Sequence, residues 1–396
     1  VRASKPYLEF LLMLRRRFLS LAPQLAAASF APAYIGNVYA QDGVNAKSVT
    51  IGSSGALTGP LAGSGASVKL GVNAAMAQIN AKGGIHGRQL QFQQVDDAYA
   101  PQRTAENVRK MIGDGSVFAL LTCIGTPNNA AIMPMIQEAN LPYVGPRTGA
   151  ASLRKAGMRN VFHVRASYTE ETQRLVQNLL TMGIKNLAIV YLDTSFGKEV
   201  LVDAVAALQV QGVKAVVQTA LAVDGNNVAD VVAQVVAGKP GAVMLATAGE
   251  ASAKLVLALK KASPMLPLAG LSVTLTAEGL RGLGAAGSGL AMTMVFPDPN
   301  RARSTLVRDY QSAMRATGQQ DFSLDTLESY VNTRVLAEGL ERAGRDLTRA
   351  KLQAALAGLQ RFDLGGFTIN YATSAPFVGS HYVDLGVLGS GGRYIG

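Results

Sequence analysis

From Val49 onward the chain alternates short apolar runs with longer stretches whose apolar residues recur every three or four positions. This alternation restricts the fold more than any other feature of the sequence. Val49–Ser53 reads as a short strand, and Val72, Met76 and Ile79 keep helical spacing until Gly83-Gly84 stops the helix. Leu90–Val95 alternates as a strand does. Thr104–Gly113 reads as a helix, Val117–Cys123 as a buried strand, Asn129–Ala139 as a helix and Leu141–Val144 as a strand ending in Gly145-Pro146. Strands separated by helices predict a parallel sheet covered on both faces, because each crossover must return over the sheet.

The rhythm restarts near Val161–Arg165. Helix Glu170–Met182 leads to strand Asn186–Leu192, Phe196–Val210 to Val213–Thr219, Val228–Ala237 to Gly241–Ala246, and Ala251–Lys261 to Leu266–Leu271. Strand Leu290–Phe296 precedes a break at Pro297-Asp298-Pro299. Helical stretches Thr305–Ala316, Thr326–Ala343 and Thr348–Leu359 follow, then strand-like segments near Gly366–Asn370, His381–Val387 and Arg393–Ile395. The pattern predicts an α/β protein of two doubly wound units. A composition 48% hydrophobic but only 6% aromatic, rich in Ala, Gly and Val, suits their close helix–sheet packing. Ligands of such sheets bind beyond the carboxyl ends of the strands, so two facing units form a cleft that a hinge can close.

Residues 1–40 read as a leader rather than part of the fold. Arg15-Arg16-Arg17-Phe18-Leu19 precedes the apolar run Leu21–Ile35, and Val38-Tyr39-Ala40 offers small residues where a signal peptidase cuts. The Arg-Arg-x-Phe-Leu core is similar to a twin-arginine export signal. The expected location is the periplasm, with cleavage near Ala40. Of the formal charge of +11, the first forty residues carry five Arg and Lys against one Glu, leaving +7. Those cations are scattered and not interleaved with aromatics, which argues against a nucleic-acid partner. The one cysteine, Cys123, lies in an apolar run and reads as a buried, inert thiol.

A search for catalytic constellations returns nothing. His86, His163 and His381 have no metal-ligand spacing, and no H-E-x-x-H or G-x-S-x-G is present. Neither a cofactor nor a metal is expected, and the chain reads as a binder, not an enzyme. Asp96-Asp97 reads as a cap or surface pair rather than an acid–base pair. The glycine-rich turn "GALTGPLAGSGASVK" at 55–69 is neither a Walker loop nor a dinucleotide fingerprint. It is a tight turn or a cleft wall where small residues admit a ligand. Two more loops follow strands, Thr122–Asn129 and Gly145–Ala150. Their free N–H groups and hydroxyls suit an anionic oxygen, although Thr126 and Asn128 also fit as plain N-caps.

"GALTGPLAGSG", "INAKGGIHGRQLQFQQVDDAYAP", "GTPNNAAIMPMIQEANLPYVGP" and "DTSFGKE", in this order, are similar to the leucine/isoleucine/valine-binding protein family, type I periplasmic solute-binding proteins of ABC importers. The resemblance spans Val49–Gly396. It implies two Rossmann-like lobes with parallel sheets joined by three crossover strands, here 46–166 with 299–372 and 167–298 with 373–396. It implies capture of a small solute and delivery to the membrane subunits of an ABC permease by a monomer. A periplasmic sensor of the same fold is the alternative. By the same resemblance Thr126, Thr148 and Gly149 face the ligand carboxylate, with Asn128 beside them and Arg147 as charge partner. Ser64 falls where the family has an aromatic lid, Phe196 at an aromatic position of the second lobe, and Ala248 near another. The family's acid for a ligand ammonium falls near Ser272, where no acid stands. Glu250 is the nearest substitute. The family's first-lobe disulfide is lost, because Tyr99 stands opposite Cys123. Tyr168 faces the ligand or packs the hinge. A buried ammonium without a carboxylate is costly, so an acid lacking an amine is expected over an α-amino acid.

Overall fold

The computed structural model describes residues 42–390 and 393–395. The expected leader, residues 1–40, lies outside them. Two sheets organise the rest. The first has β1 (Ser48–Gly55), β2 (Gln89–Asp96), β3 (Ala119–Leu121), β4 (Tyr143–Val144), β5 (Val161–His163) and a late strand, Phe377–Val378, in the order late strand-β5-β4-β3-β1-β2. Every pairing in it is parallel. The helices between its strands are α1 (Ala62–Ala81), α2 (Pro101–Gly113) and α3 (Thr126–Glu138).

The second lobe runs α4 (Tyr168–Thr181), β6 (Leu187–Leu192), α5 (Ser195–Val210), β7 (Val217–Leu221), α6 (Val228–Ala237), β8 (Ala242–Ala246), α7 (Glu250–Ala262), β9 (Leu268–Gly270), α8 (Ala277–Leu283) and β10 (Ala291–Met294). Its strands β7, β6, β8, β9 and β10 pair in parallel, and an antiparallel ribbon, Asp384–Leu388 with Tyr394–Ile395, finishes the edge. Strand β8 reads Ala-Val-Met-Leu-Ala and is buried at every residue, as a strand covered on both faces must be. Each large side chain buried there contributes about 1.5–3 kcal/mol.

The chain returns to the first lobe through α9 (Thr305–Ala316), α10 (Leu324–Ala343) and α11 (Arg349–Ala357). Helix α10 packs on α1 and also meets β3 and β4. It is buried continuously from Leu324 to Thr333, which explains why its polar and apolar residues do not sort onto two faces. The short strands β11 (Phe362–Asp363) and β12 (Thr368–Ile369) form a separate hairpin. The late strands are β13 (Phe377–Val378), β14 (Asp384–Leu388) and β15 (Tyr394–Ile395).

Three segments therefore cross between the lobes: 164–167, 295–304 and 379–383. The last crossing is later than the expected boundary at 373, because β13 pairs with Phe162 and His163 of β5 in the first sheet. Phe377 is held there by stacking on Phe162, with ring centroids 4.9 Å apart. Ser167 ends the first crossing and caps α4 in a capping box with Glu170. Glu170 also meets Nδ1 of His381 at 2.6 Å, which ties the first crossing to the third.

Two other expectations differ. The strand expected over Val213–Thr219 runs Val217–Leu221, since Val213 N–H still closes the end of α5 on Leu208 C=O. Helix α8 was not legible because Gly279 and Gly282 interrupt its pattern. It starts at Thr276, whose Oγ1 accepts from Gly279 N–H at 3.1 Å. Among the described residues no helix is long and apolar enough to cross a membrane.

Candidate ligand-binding cleft

The first-lobe wall is set by the strand ends. Asp96, the last residue of β2, accepts hydrogen bonds from the N–H groups of Leu57, Thr58 and Ala98 at 2.8, 3.1 and 3.0 Å, and from Thr58 Oγ1 at 2.7 Å. Burial works against its charge, but these bonds, led by that from Ala98, hold the carboxyl well below its ordinary range. Asp96 thereby fixes the glycine-rich turn. Asp97 is fully buried and accepts from Ser54 Oγ, Thr104 Oγ1 and Tyr99 N–H, each at 2.9 Å. Both carboxylates hold the strand ends together, and neither lines the cleft.

The loops after β3 and β4 pair beyond their strands. Arg147 N–H donates to Cys123 C=O at 3.0 Å, and Gly125 N–H to Arg147 C=O at 3.2 Å. This brings Thr126 at the start of α3 beside Thr148, with their hydroxyl oxygens 2.8 Å apart and buried. One hydroxyl donates to the other, so one proton is left to donate elsewhere. The backbone N–H groups of Thr126 and Gly149 have no partner among the described residues.

The second-lobe wall is made by helix N-termini and strand ends. Tyr168 N–H, at the start of α4, donates to Gly149 C=O at 2.8 Å across the lobes. Its ring meets Phe196 edge to face, with centroids 5.0 Å apart. The Arg165 guanidinium carbon lies 5.3 Å from the centroid of the same ring.

Between the walls lies a cavity of about 30 Å³, lined on the first-lobe side by Leu61, Ser64, Tyr99, Ile124, Gly125, Thr126 and Arg147. Tyr168, Phe196, Ala248 and Val273 line the other side. That volume holds about two water-sized spheres, so a larger solute enters only if the lobes move apart. The hydroxyls of Ser64, Tyr99 and Tyr168 have no hydrogen-bond partner among the described residues, and nor has Nη1 of Arg147. Burial pushes the tyrosine hydroxyls' pKa up, so they remain donors.

Of the residues expected in the site, Ser64, Thr126, Arg147, Tyr168, Phe196 and Ala248 line this cavity. Thr148 and Gly149 stand behind it, bonded to Thr126 and Tyr168. Three do not fit. Asn128 is fully buried and donates to Thr104 Oγ1 at 2.7 Å, supporting the Asp97 cluster. Glu250 is exposed at the start of α7, and its N–H donates to Pro60 C=O at 3.2 Å. Ser272 belongs to a buried ionic cluster at the hinge. There its N–H donates to Glu171 Oε2 at 2.9 Å and its Oγ accepts from Arg165. No carboxylate lines the cavity.

Arg147 was expected as a charge partner of the ligand carboxylate. Its Nη2 instead pairs with Asp325 in the first turn of α10, both side chains being about 95% buried. Burial raises the Asp325 pKa, while Arg147 lowers it. One turn along α10, Glu328 meets Arg165 at 3.3 Å, and Arg165 also meets Glu171 at 2.7 Å. The sequence reading missed Asp325 because it began this helix at Thr326. Ser323 caps it three residues earlier. Tyr99, weighed only as a lost disulfide partner, lines the cavity with a left-handed backbone, φ 62°. Among the described residues no cluster of His, Cys, Asp and Glu could hold a metal ion.

Comparisons with known proteins agree with this architecture. Residues 48–381 match the family model for periplasmic binding proteins. The Leu/Ile/Val-binding protein BraC3 of Rhizobium johnstonii is 26% identical over 304 residues, 75% of this chain and 80% of that protein. The Leu/Ile/Val-binding protein of Escherichia coli K12 aligns over 176 residues at 27% identity, 37% of this chain and 47% of that protein. The crystal structure of a substrate-binding periplasmic protein from Ralstonia solanacearum superposes with a TM-score of 0.81 at 30% identity, covering 87% of this chain and 99% of that one.

Proposed function

This chain belongs to the periplasmic binding protein family, and from that premise we propose that it is exported, captures a small carboxylate-bearing solute between its lobes and delivers it to an ABC importer. The observation that carries the reading is the convergence of unspent donors on one interlobe cavity. Arg147 Nη1, the Thr126–Thr148 hydroxyl pair and the hydroxyls of Ser64, Tyr99 and Tyr168 all belong to residues at or directly behind its wall. Of these, Arg147 Nη1 is buried without a partner, which costs about 1–3 kcal/mol, and an entering anion repays that cost.

The residues divide the work. Thr126 and Arg147 belong to the first lobe and bind the carboxylate while the cleft is open. Tyr168, Phe196 and Ala248 come from the second lobe and make their contacts only on closure, so the solute shifts the population toward the closed form. No acid lines the cavity, so an α-ammonium next to the carboxylate lacks a counter-charge, and an acid unsubstituted by an α-amine fits better. The reading requires turnover of no substrate.

A thermal-shift screen tests it directly. Carboxylates without an α-amine are expected to raise the melting temperature by mass action, and equal or larger shifts with branched-chain α-amino acids would overturn the preference.

A further inference from the structure

A second chamber, of about 190 Å³, opens on the other side of the Arg147–Asp325 pair. Arg147 lines the first cavity and Asp325 the second, while the consecutive residues Val273 and Ser272 divide in the same way. The two spaces therefore abut along this ion pair. We propose that the second chamber receives the cationic end of a solute whose carboxylate lies against Arg147, so that the protein takes acids bearing a primary amine or guanidine remote from the carboxylate. The proposal rests on the carboxylate reading above and names the substrate class of the same cleft.

Asp325 carries the argument. Its residue is 4% exposed, and only Oδ1 is engaged, by Arg147. Oδ2 has no partner among the described residues. A buried carboxylate oxygen beside an open chamber is an acceptor awaiting a donor.

Charge balance points the same way. From cavity to hinge the buried ionic groups are the guanidiniums of Arg147, Arg154 and Arg165 against the carboxylates of Asp325, Glu328 and Glu171. The cluster is balanced, and a solute carboxylate leaves it with negative charge in excess. A cation on Asp325 offsets it, and by drawing on Asp325 it loosens that residue's hold on Arg147. Burial already disfavours the ionised form of Asp325, which is consistent with a missing cationic partner. The chamber walls suit a methylene chain, because Leu275, Leu280 and Phe322 lie beside the polar groups. Arg281 and Arg393 are the cations on the chamber's exposed side, away from Asp325, and Asp321 already pairs with Arg281 at 3.2 Å.

The test is calorimetric titration with three matched series of increasing chain length: ω-amino carboxylates, plain carboxylates and α-amino carboxylates. At one chain length the ω-amino acid is expected to bind at least about tenfold tighter than the plain acid, a coupling of about 1.4 kcal/mol. Leu280→Trp, on the half-exposed face of α8, fills the chamber. It is expected to erase that advantage, and to leave unchanged only the affinity of plain acids too short to reach the chamber. Asp325→Asn keeps the shape, and is expected to weaken the ω-amino acid and strengthen the plain acid, because Arg147 is released. If plain and ω-amino acids bind equally, the chamber proposal falls and the carboxylate reading stands. If the α-amino series binds best, the chamber proposal also falls. If no carboxylate of any series binds, both fall.

Discussion

At the scale of single residues, the Thr126–Thr148 contact has the most direct consequence. Each hydroxyl is buried, and the 2.8 Å bond between them leaves one proton uncommitted. Thr126→Ala removes a donor and leaves Thr148 without its partner. It is expected to weaken solute binding by about 1–2 kcal/mol, roughly five- to thirtyfold in Kd, alongside a modest fall in melting temperature from the unpaired Thr148 hydroxyl. Unchanged affinity removes Thr126 from the site. His163 makes a different prediction. It is 1% exposed, and burial, reinforced by Arg154, depresses its pKa to about 3. A depressed folded-state pKa gives stability that is complete above the ordinary value near 6.5 and is lost as pH falls from there toward 3. By pH 5 the loss amounts to about 2 kcal/mol. Urea unfolding of His163→Gln between pH 7 and pH 5 is expected to lose about that much less stability than the parent. Equal losses would contradict the assignment. Single residues were legible where a loop follows a strand, as with Thr126 and Arg147. The partner of Arg147 was not, since Asp325 lies 178 positions away and nothing local announces the pairing.

At the scale of elements, the lobes meet through backbone as much as through side chains. Gly249 ends the loop after β8 with φ +78°, and a Cβ placed there would lie 2.6 Å from Pro60 C=O of the first lobe. Gly149 is similar: a Cβ would meet Tyr168 N at 2.6 Å. Gly249→Ala is expected to hold the lobes apart. Its signature is weaker binding beyond the roughly 1 kcal/mol of local backbone strain, with each lobe still folded. Binding and melting temperature changed in the same proportion would mean the glycine serves only its own turn. Elements with an unbroken period, such as α6 and α9, were legible to their end residues, because periodicity and breakers are local signals. Strand β13 was not read as a strand, and its residues fell on the second-lobe side of the expected boundary. Two residues carry no period, and their place is decided by stacking on Phe162.

At the scale of the whole molecule, three crossings join two lobes around a cleft that, on the function proposed above, holds an anion. The two-lobed α/β architecture followed from the repeated strand–helix rhythm. The cleft's inner division into two chambers did not, because it arises where α10 of the first lobe meets the Ser272 loop of the second. The hinge is stiffened by the buried Arg165, which joins Glu328 of one lobe to Glu171 of the other. Breaking such a buried pair costs about 3–5 kcal/mol, so Arg165→Met is expected to lower the melting temperature by several degrees, and by more than Thr126→Ala does. The central claim is that the cleft selects a carboxylate. The most direct measurement is a thermal-shift panel on residues 41–396 in which each small acid is paired with its own neutral amide. The account predicts that at least one acid raises the melting temperature, that its amide does not, and that Thr126→Ala reduces the shift. Equal shifts for acid and amide, or a shift indifferent to Thr126, would contradict it.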